Sequence, residues 1–452
     1  MSSYMAIRRY KNILTQMKVL TVILDALALA ALTHCVFYLR VPQTPLQSLT
    51  VSNGFWFFFA AVMFFIYLFG GFDLQRRYRK VFVSTFSAVV FAAIVMTIAN
   101  FLLYKDRSGI FGRGVLLGSS LLFLVYAQAL RWAFGKWYTK FREQIEWVMW
   151  IHKDYVDDVQ ADVKYKGLEG FFTWVVIDEA LLQEQFKKIC EQSDNLVVAL
   201  KPGQLSEDLS QTLLDLRLSG KSFLDLTEFY ERFLDCLPVF YLNPQSLIFS
   251  SGFSILERPL LMNLKRVSDV VLSLAVLLLT SPFLILTALG VRISSSGPIF
   301  FAQTRTGKNG KPFLLYKFRS MVQNAEAHGP QWAQKNDQRV TVFGKFIRKV
   351  RLDELPQIWN ILKGDMSFIG PRPERPEFDQ LLKKQIPYYD LKYLVRPGLT
   401  GWAQVEFPYG ASVEDSKKKL QFEIFYIKNY SFYFEFLILL KTIRVVFLGR
   451  GR

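Results

Sequence analysis

Apolar residues gather in four long runs near the start of the chain: Val19–Leu39, Gly54–Phe72, Val81–Tyr104 and Gly114–Phe134. Each is about 19–24 residues long, enough as a helix to cross ~30 Å of hydrocarbon. So few charges over that length favour membrane spans over soluble core helices. Asp25 interrupts the first run, so a partner on a facing helix is expected. Arg8, Arg9, Lys11 and Lys18 precede the first run. Arg76, Arg77, Arg79 and Lys80 separate the second from the third, and Lys136, Lys140 and Arg142 follow the fourth. The first connecting segment holds only Arg40, and the third carries Lys105, Arg107 and Arg113. The inward bias of positive charge predicts a four-helix transmembrane domain over 1–142 with both ends inside. The N-terminus lacks a small-residue cleavage site, so the first run is expected to be retained.

The pattern changes at Glu143. Trp147–Ile151, Thr173–Ile177 and Asn195–Leu200 read as short buried strands, with helical periodicity over Ala180–Gln192 and Ser206–Leu218. Alternating strand and helix predict a small parallel α/β domain over 143–255. Its first strand runs into Ile151-His152-Lys153-Asp154, without the Gly-x-Gly-x-x-Gly turn that brings a backbone close to a dinucleotide. Lys201-Pro202-Gly203 reads as a turn. A structural or regulatory domain of degenerate Rossmann-like type is expected.

A fifth apolar run, Val267–Ile293, is interrupted by Ser281-Pro282. Proline removes a backbone donor and clashes with the preceding turn, so a kink or break is expected there. Both flanks are basic, with Lys265 and Arg266 before and Arg292, Arg305, Lys308, Lys311, Lys317 and Arg319 after. Both flanks therefore favour the same face. A re-entrant helix–break–helix near 267–293 satisfies this, with freed backbone groups met by Ser281 or by neighbours; an ordinary fifth span is the alternative. Next, Gln303–Phe313 predicts a basic hairpin turning at Asn309-Gly310. Leu314–Met321 predicts a strand running into a helix, with Lys317 and Arg319 on one strand face, suited to a diphosphate.

Composition narrows the partners. A formal net charge of +17 over 452 residues points to an anionic surface, nucleotide or nucleic acid. No nucleic-acid-reading motif is present, and much of the charge adjoins apolar runs, so nucleic acid is not an expected partner. Cys35, Cys190 and Cys236 lie far apart and suggest neither a disulfide framework nor a zinc site. His34, His152 and His328 have no metal-ligand neighbours at helical spacing.

Candidate chemistry centres on Asp353-Glu354, which follow Lys345, Arg348, Lys349 and Arg351. Cations favour the carboxylate form and attract an anionic ligand. A surface ion-pair cluster is the competing explanation.

Five motifs in order decide between them: Lys317-Phe318-Arg319-Ser320-Met321, Asp353-Glu354-Leu355-Pro356-Gln357, Lys363-Gly364-Asp365-Met366-Ser367, Gly370-Pro371-Arg372-Pro373 and Arg396-Pro397-Gly398-Leu399-Thr400-Gly401-Trp402-Ala403-Gln404. In these the chain resembles the bacterial sugar transferase family, the polyprenyl-phosphate hexose-1-phosphate transferases. Pro408–Asp415 resembles the exopolysaccharide-type branch of the large members. The resemblance implies a mainly helical catalytic domain over 256–452 at the cytoplasmic face of a bacterial inner membrane. It implies transfer of hexose-1-phosphate from a nucleotide sugar, a UDP-sugar in the common cases, to undecaprenyl phosphate. Glucose and galactose are common donors in large relatives, and no residue here chooses between them. By the resemblance Asp353 is the nucleophile that forms a covalent phosphosugar-enzyme, and Glu354 helps to hold Mg2+. A carboxylate can form an acyl phosphate when the phosphoryl charge is neutralised. Arg305, Lys317, Arg319, Arg351 and Arg372 are candidate phosphate contacts. Arg396 and Gln404 are expected to order a loop. The large members imply a homodimer. Gly344–Val350 and the tail Tyr426–Leu448 are expected to be interfacial helices on the phospholipid bilayer; a sixth span is the alternative for the tail. The tail carries Phe434-Glu435-Phe436 where relatives usually show a Leu-Asp-Leu setting. A membrane-anchored ligand-sensing or scaffold protein would explain the charge and the spans but not the carboxylate pair.

Overall fold

The computed structural model describes residues 4–40, 53–72, 78–103, 113–142, 147–177, 195–201, 206–242, 251–323, 337–407 and 412–447, with isolated positions between. The expected helix over 180–192 lies outside the described residues, as do Arg76, Arg77, Lys105, Arg107, Pro408, Tyr409 and Ala411. The chain forms two compact units, Met1–Phe223 and Leu224–Arg452.

The first unit begins with four helices: α1 (Tyr4–Arg40), α2 (Asn53–Phe69), α3 (Tyr78–Leu103) and α4 (Arg113–Arg142). Helix α1 packs against α2 and α4, and α3 against α2 and α4, around Phe37, Phe58, Val62, Ala92 and Phe123. Thr15–Arg40, Val81–Ala99 and Arg113–Trp137 are long and apolar enough to cross a membrane. Helix α2 is shorter than its apolar run. Gly70, at φ 82°, ends it, with Gly71 N–H donating to Ile66 O at 2.8 Å. Its 17 residues rise about 25 Å, short of the ~30 Å hydrocarbon core. Asp25 does meet a facing helix. Arg131 Nη2 donates to its Oδ2 at 2.7 Å and Nη1 to its Oδ1 at 3.3 Å, while Nε donates to Gly71 O at 3.1 Å.

After the bundle come β1 (Trp147–His152), α5 (Lys153–Lys166), β2 (Phe172–Ile177), β3 (Asn195–Ala199), α6 (Glu207–Leu218) and β4 (Ser222–Asp225). The sheet order is β2-β1-β3-β4, and β1 pairs in parallel with both β2 and β3. The phosphate-loop position is a capped helix start: His152 Nδ1 accepts from Asp154 N–H at 3.2 Å.

The second unit is built on α7 (Pro259–Ser294), a 36-residue helix that is also long and apolar enough to cross a membrane. Of the kink or break expected at Ser281-Pro282, the break is absent: helical structure continues through Pro282. Ser281 explains how. Its hydroxyl donates to Leu278 O at 2.9 Å, the carbonyl that a residue-282 N–H would have used.

Strands β5 (Phe300–Thr306) and β6 (Pro312–Phe318) form the expected antiparallel hairpin, with Asn309 (φ 56°) and Gly310 (φ 73°) in its turn. The helix expected after β6 does not form at Arg319–Met321. Arg319 N–H donates to Ile299 O at 2.9 Å and Met321 bridges Val340, so the backbone stays sheet-paired. Further on lie α8 (Val342–Lys349), α9 (Gln357–Lys363), β7 (Ser367–Ile369) and β8 (Gly398–Thr400), the last two paired in parallel. Gly370 and Gly398 permit this closeness: a Cβ on Gly398 would lie 2.1 Å from Gly370 N.

The tail is two helices rather than one: α10 (Val413–Lys428) and α11 (Phe432–Phe447). Ser431 starts the second, its Oγ accepting from Phe434 N–H at 3.1 Å. Every residue of α10 from Leu420 to Lys428 is buried. Its surroundings are protein on all sides, since Leu237 N–H donates to Gln421 O and Phe253 N–H to Lys428 O. The interfacial reading therefore does not hold for Tyr426–Lys428, and only α11 remains available for it.

Candidate active site

Thr341 caps α8, its Oγ1 accepting from Gly344 N–H at 2.9 Å. Helix α8 is amphipathic. Phe343 and Ile347 pack with Leu284, Ala288 and Val291 of α7 and Phe318 of β6, while Val342 and Phe346 are exposed. Helix α8 ends, and Arg351 takes the left-handed conformation (φ 57°), turning the chain into a single 3₁₀ turn, Leu352–Glu354. Leu352 joins the same apolar cluster, so the two carboxylates are set beside the last turns of α7.

Asp353 is buried. Glu354 draws in three cations. Arg351 Nη1 donates to its Oε2 at 3.0 Å, Arg372 Nη2 to its Oε1 at 3.3 Å, and Lys317 Nζ stands 3.8 Å from Oε1. Burial opposes ionisation of Glu354, but Arg372, Arg351 and Lys317 outweigh it, so its carboxyl stays well below the ordinary range. Three cations facing two carboxylates leave an excess of positive charge beside Asp353. An additional anionic group is favoured there.

The Lys317 ammonium is pulled down to about 8. Burial is the largest cause, opposed by Glu354 and reinforced by Arg372 and Arg305. A step that needs cationic Lys317 slows as pH rises through about 8. In Lys317→Arg the alkaline limb should move beyond about pH 10, because a guanidinium stays charged. A pH–rate profile of that variant with an unmoved limb would assign the limb to another group.

The remaining sequence candidates divide. Arg305 is held by Glu374 (Nη1 to Oε1, 3.2 Å), Pro373 O and Gln303, and its charge helps to pull the Lys317 ammonium down. Arg319 leaves the group. It lies just past the end of β6, and its Nη2 donates to Ser295 O at 2.7 Å and Ser295 Oγ at 3.0 Å, beside Gly297. It therefore fastens the end of α7 and is not one of the cations that reach Glu354. Arg396 Nε donates to Gly364 O at 3.0 Å and Gln404 Nε2 to Leu399 O at 3.3 Å, tying β8 to α9 and to the following turn. Ser281 and Pro282 stay within α7.

Among the described residues no three His, Cys, Asp or Glu side chains gather as a metal cage. Two adjacent carboxylates still fit a hard cation such as magnesium, which binds through one or two carboxylates plus substrate phosphate oxygens.

A family model described as bacterial sugar transferase matches residues 261–449. The sugar transferase EpsL of Bacillus subtilis is 39% identical over 194 residues, covering 42% of this chain and 90% of that protein. The chain belongs to the bacterial sugar transferase family. Two longer relatives are matched in part. The UDP-N-acetylgalactosamine-undecaprenyl-phosphate N-acetylgalactosaminephosphotransferase of Aeromonas hydrophila is 46% identical over 198 residues, 44% of this chain and 47% of the relative. The UDP-glucose:undecaprenyl-phosphate glucose-1-phosphate transferase of Escherichia coli is 41% identical over 190 residues, 42% of this chain and 41% of the relative. The chain spans less than half the length of each.

Several residues that shape this family member's site gave no local sequence signal. Lys392 and Glu423 form a buried ion pair behind Arg372, with Glu374 half-buried beside it. Asp269 in α7 accepts from Ser367 Oγ at 3.0 Å and Phe368 N–H at 2.9 Å. Asp269 stands near the start of the fifth apolar run, and nothing nearby in sequence names its partners 98 and 99 residues away.

Proposed function

We propose that this protein transfers hexose-1-phosphate from a UDP-sugar to undecaprenyl phosphate at the cytoplasmic face of a bacterial inner membrane. The observation that carries the reading is Asp353, next to Glu354 and its three cations, on a turn packed against the apolar helix α7. Asp353 attacks the sugar-bearing phosphorus, and the bond to the other phosphate breaks, releasing UMP. The lipid phosphate then attacks the aspartyl-phosphosugar, giving the undecaprenyl-diphosphate-sugar and restoring the carboxylate. Lys317, Arg351 and Arg372 stabilise charge on the phosphoryl oxygens. Glu354 would hold magnesium together with substrate phosphate oxygens. When bound, the ion would neutralise part of the diphosphate charge.

Both ends of α7 are tied to one folded body, which supports a re-entrant helix that bends at Pro282 without breaking. Near its start, Arg266 donates to Ile361 O and Leu362 O of α9. Near its end, Val291 packs on Phe318 of β6. Helix α9 and β6 are themselves joined, Asn360 Nδ2 donating to Leu314 O at 2.6 Å. Between Ser273 and Thr287 no residue of α7 is buried, as expected for an apex in hydrocarbon. A straight crossing of ~30 Å would separate the two ends by the bilayer. Cysteines introduced at the two ends of α7 should react with an impermeant label from the cytoplasmic face only. Labelling from opposite faces would restore a true span.

The relatives' names share undecaprenyl phosphate and a UDP donor and differ in the sugar. A screen of nucleotide sugars with undecaprenyl phosphate, read by nucleoside monophosphate release, tests the function. No release from any UDP-sugar in a folded, membrane-inserted preparation refutes it.

A further inference from the structure

One buried carboxylate outside the dyad is bonded to the loop that serves it. The Gly370–Glu374 loop has proline at 371 and 373, so Arg372 carries the one backbone N–H between Gly370 and Glu374. That N–H donates to Glu423 Oε1 at 2.8 Å, while the Arg372 guanidinium reaches Glu354 at 3.3 Å. Glu423 is 3% exposed, within the enclosed stretch of α10. Its Oε2 lies 2.9 Å from Lys392 Nζ, and Lys392 is 5% exposed with the rings of Tyr389 and Tyr393 at 5.0 and 5.7 Å. Backbone bonds fasten the loop on either side, from Gly398 N–H to Pro371 O at 2.8 Å and from Thr306 N–H to Glu374 O at 2.9 Å. Glu423 holds the residue between them.

We infer that Glu423, with Lys392 as its counter-ion, is a positioning residue: it fixes the backbone of Arg372 so that the guanidinium stays on Glu354. The inference rests on the transfer reaction proposed above. A charged acceptor binds an N–H more strongly than a neutral one. Lys392 offsets the cost of burying that charge, and removing either partner alone would strand the other.

The test therefore changes the pair together. Glu423→Gln/Lys392→Met keeps an oxygen acceptor for Arg372 N–H without a buried charge. Glu423→Leu/Lys392→Met is similar in volume and has no acceptor. The first should release nucleoside monophosphate within about fivefold of wild type, and the second about 100-fold more slowly, as expected for a displaced contact. Both should unfold cooperatively, the second at a somewhat lower temperature because Arg372 N–H loses its acceptor. In an Arg372→Ala background the two pairs should differ by less than about threefold, because the residue they position is gone. Equal turnover of the two double variants in the Arg372 background overturns the inference, as does an undiminished gap in the Arg372→Ala background. Failure of both to fold would assign the pair to stability and also overturn it. Wild-type turnover is the control: its absence refutes the reaction, whereas its presence with either pattern above refutes only the role of Glu423.

Discussion

Asp353→Asn should fold and insert like the wild type yet lose at least about 10³-fold in turnover, ~4 kcal/mol of transition-state stabilisation. The amide keeps the shape of the side chain but cannot displace a phosphate ester. Because Asp353 is buried in a short turn whose apolar anchor is Leu352, the substitution leaves the packing of α7, β6 and α8 untouched. The cations Lys317, Arg351 and Arg372 remain on Glu354, so donor binding should persist while chemistry stops. Two measurements check this. Nucleoside monophosphate release should collapse, and label from the sugar-bearing phosphate, trapped on denatured wild-type enzyme without lipid acceptor, should be missing from the variant. Near-full turnover in Asp353→Asn would remove it as the nucleophile.

The second large effect concerns stability, in the other unit. Asp25→Leu strands Arg131, a fully buried guanidinium on the facing helix. Removing one partner of a buried ion pair typically costs ~3–5 kcal/mol, because the remaining charge is uncompensated. Arg131 keeps its bonds to Gly71 O and Ala127 O, at 3.1 Å each, but these are neutral acceptors. Asp25→Leu/Arg131→Met should recover most of the loss, since both groups become apolar together. Thermal unfolding in detergent or nanodiscs measures the difference. A single variant as stable as wild type, or a double variant no better than the single, would show that the pair contributes little to the bundle.

The two units differ in what could be read ahead of the structure. Asp25 was legible as a residue in need of a partner, because a carboxylate in an apolar run is conspicuous. Its partner was not, since Arg131 lies 106 residues away and looks like one cation among many near the end of a run. Similarly, the spacing of Lys317 and Arg319 could not tell that the two cations take different partners. Lys317 stands beside Glu354, whereas Arg319, just past the end of the strand, donates to the carbonyl and hydroxyl of Ser295. Proline 282 gave a sound local argument for a kink or a break, and the break does not occur because the adjacent hydroxyl satisfies the freed carbonyl.

Composition, apolar run lengths and the five ordered motifs by themselves determined a membrane-associated chain, a small parallel α/β domain and a carboxylate pair set among cations. These properties follow from near neighbours along the chain, where periodicity and charge can be counted directly. Tertiary structure alone decided which cations reach Glu354, that both ends of α7 fasten to one body, that α10 is core, and that Glu423 holds Arg372 from 51 residues away. Such pairings depend on which surfaces bury one another. That burial is settled by packing across the whole fold, and no local stretch of sequence contains it.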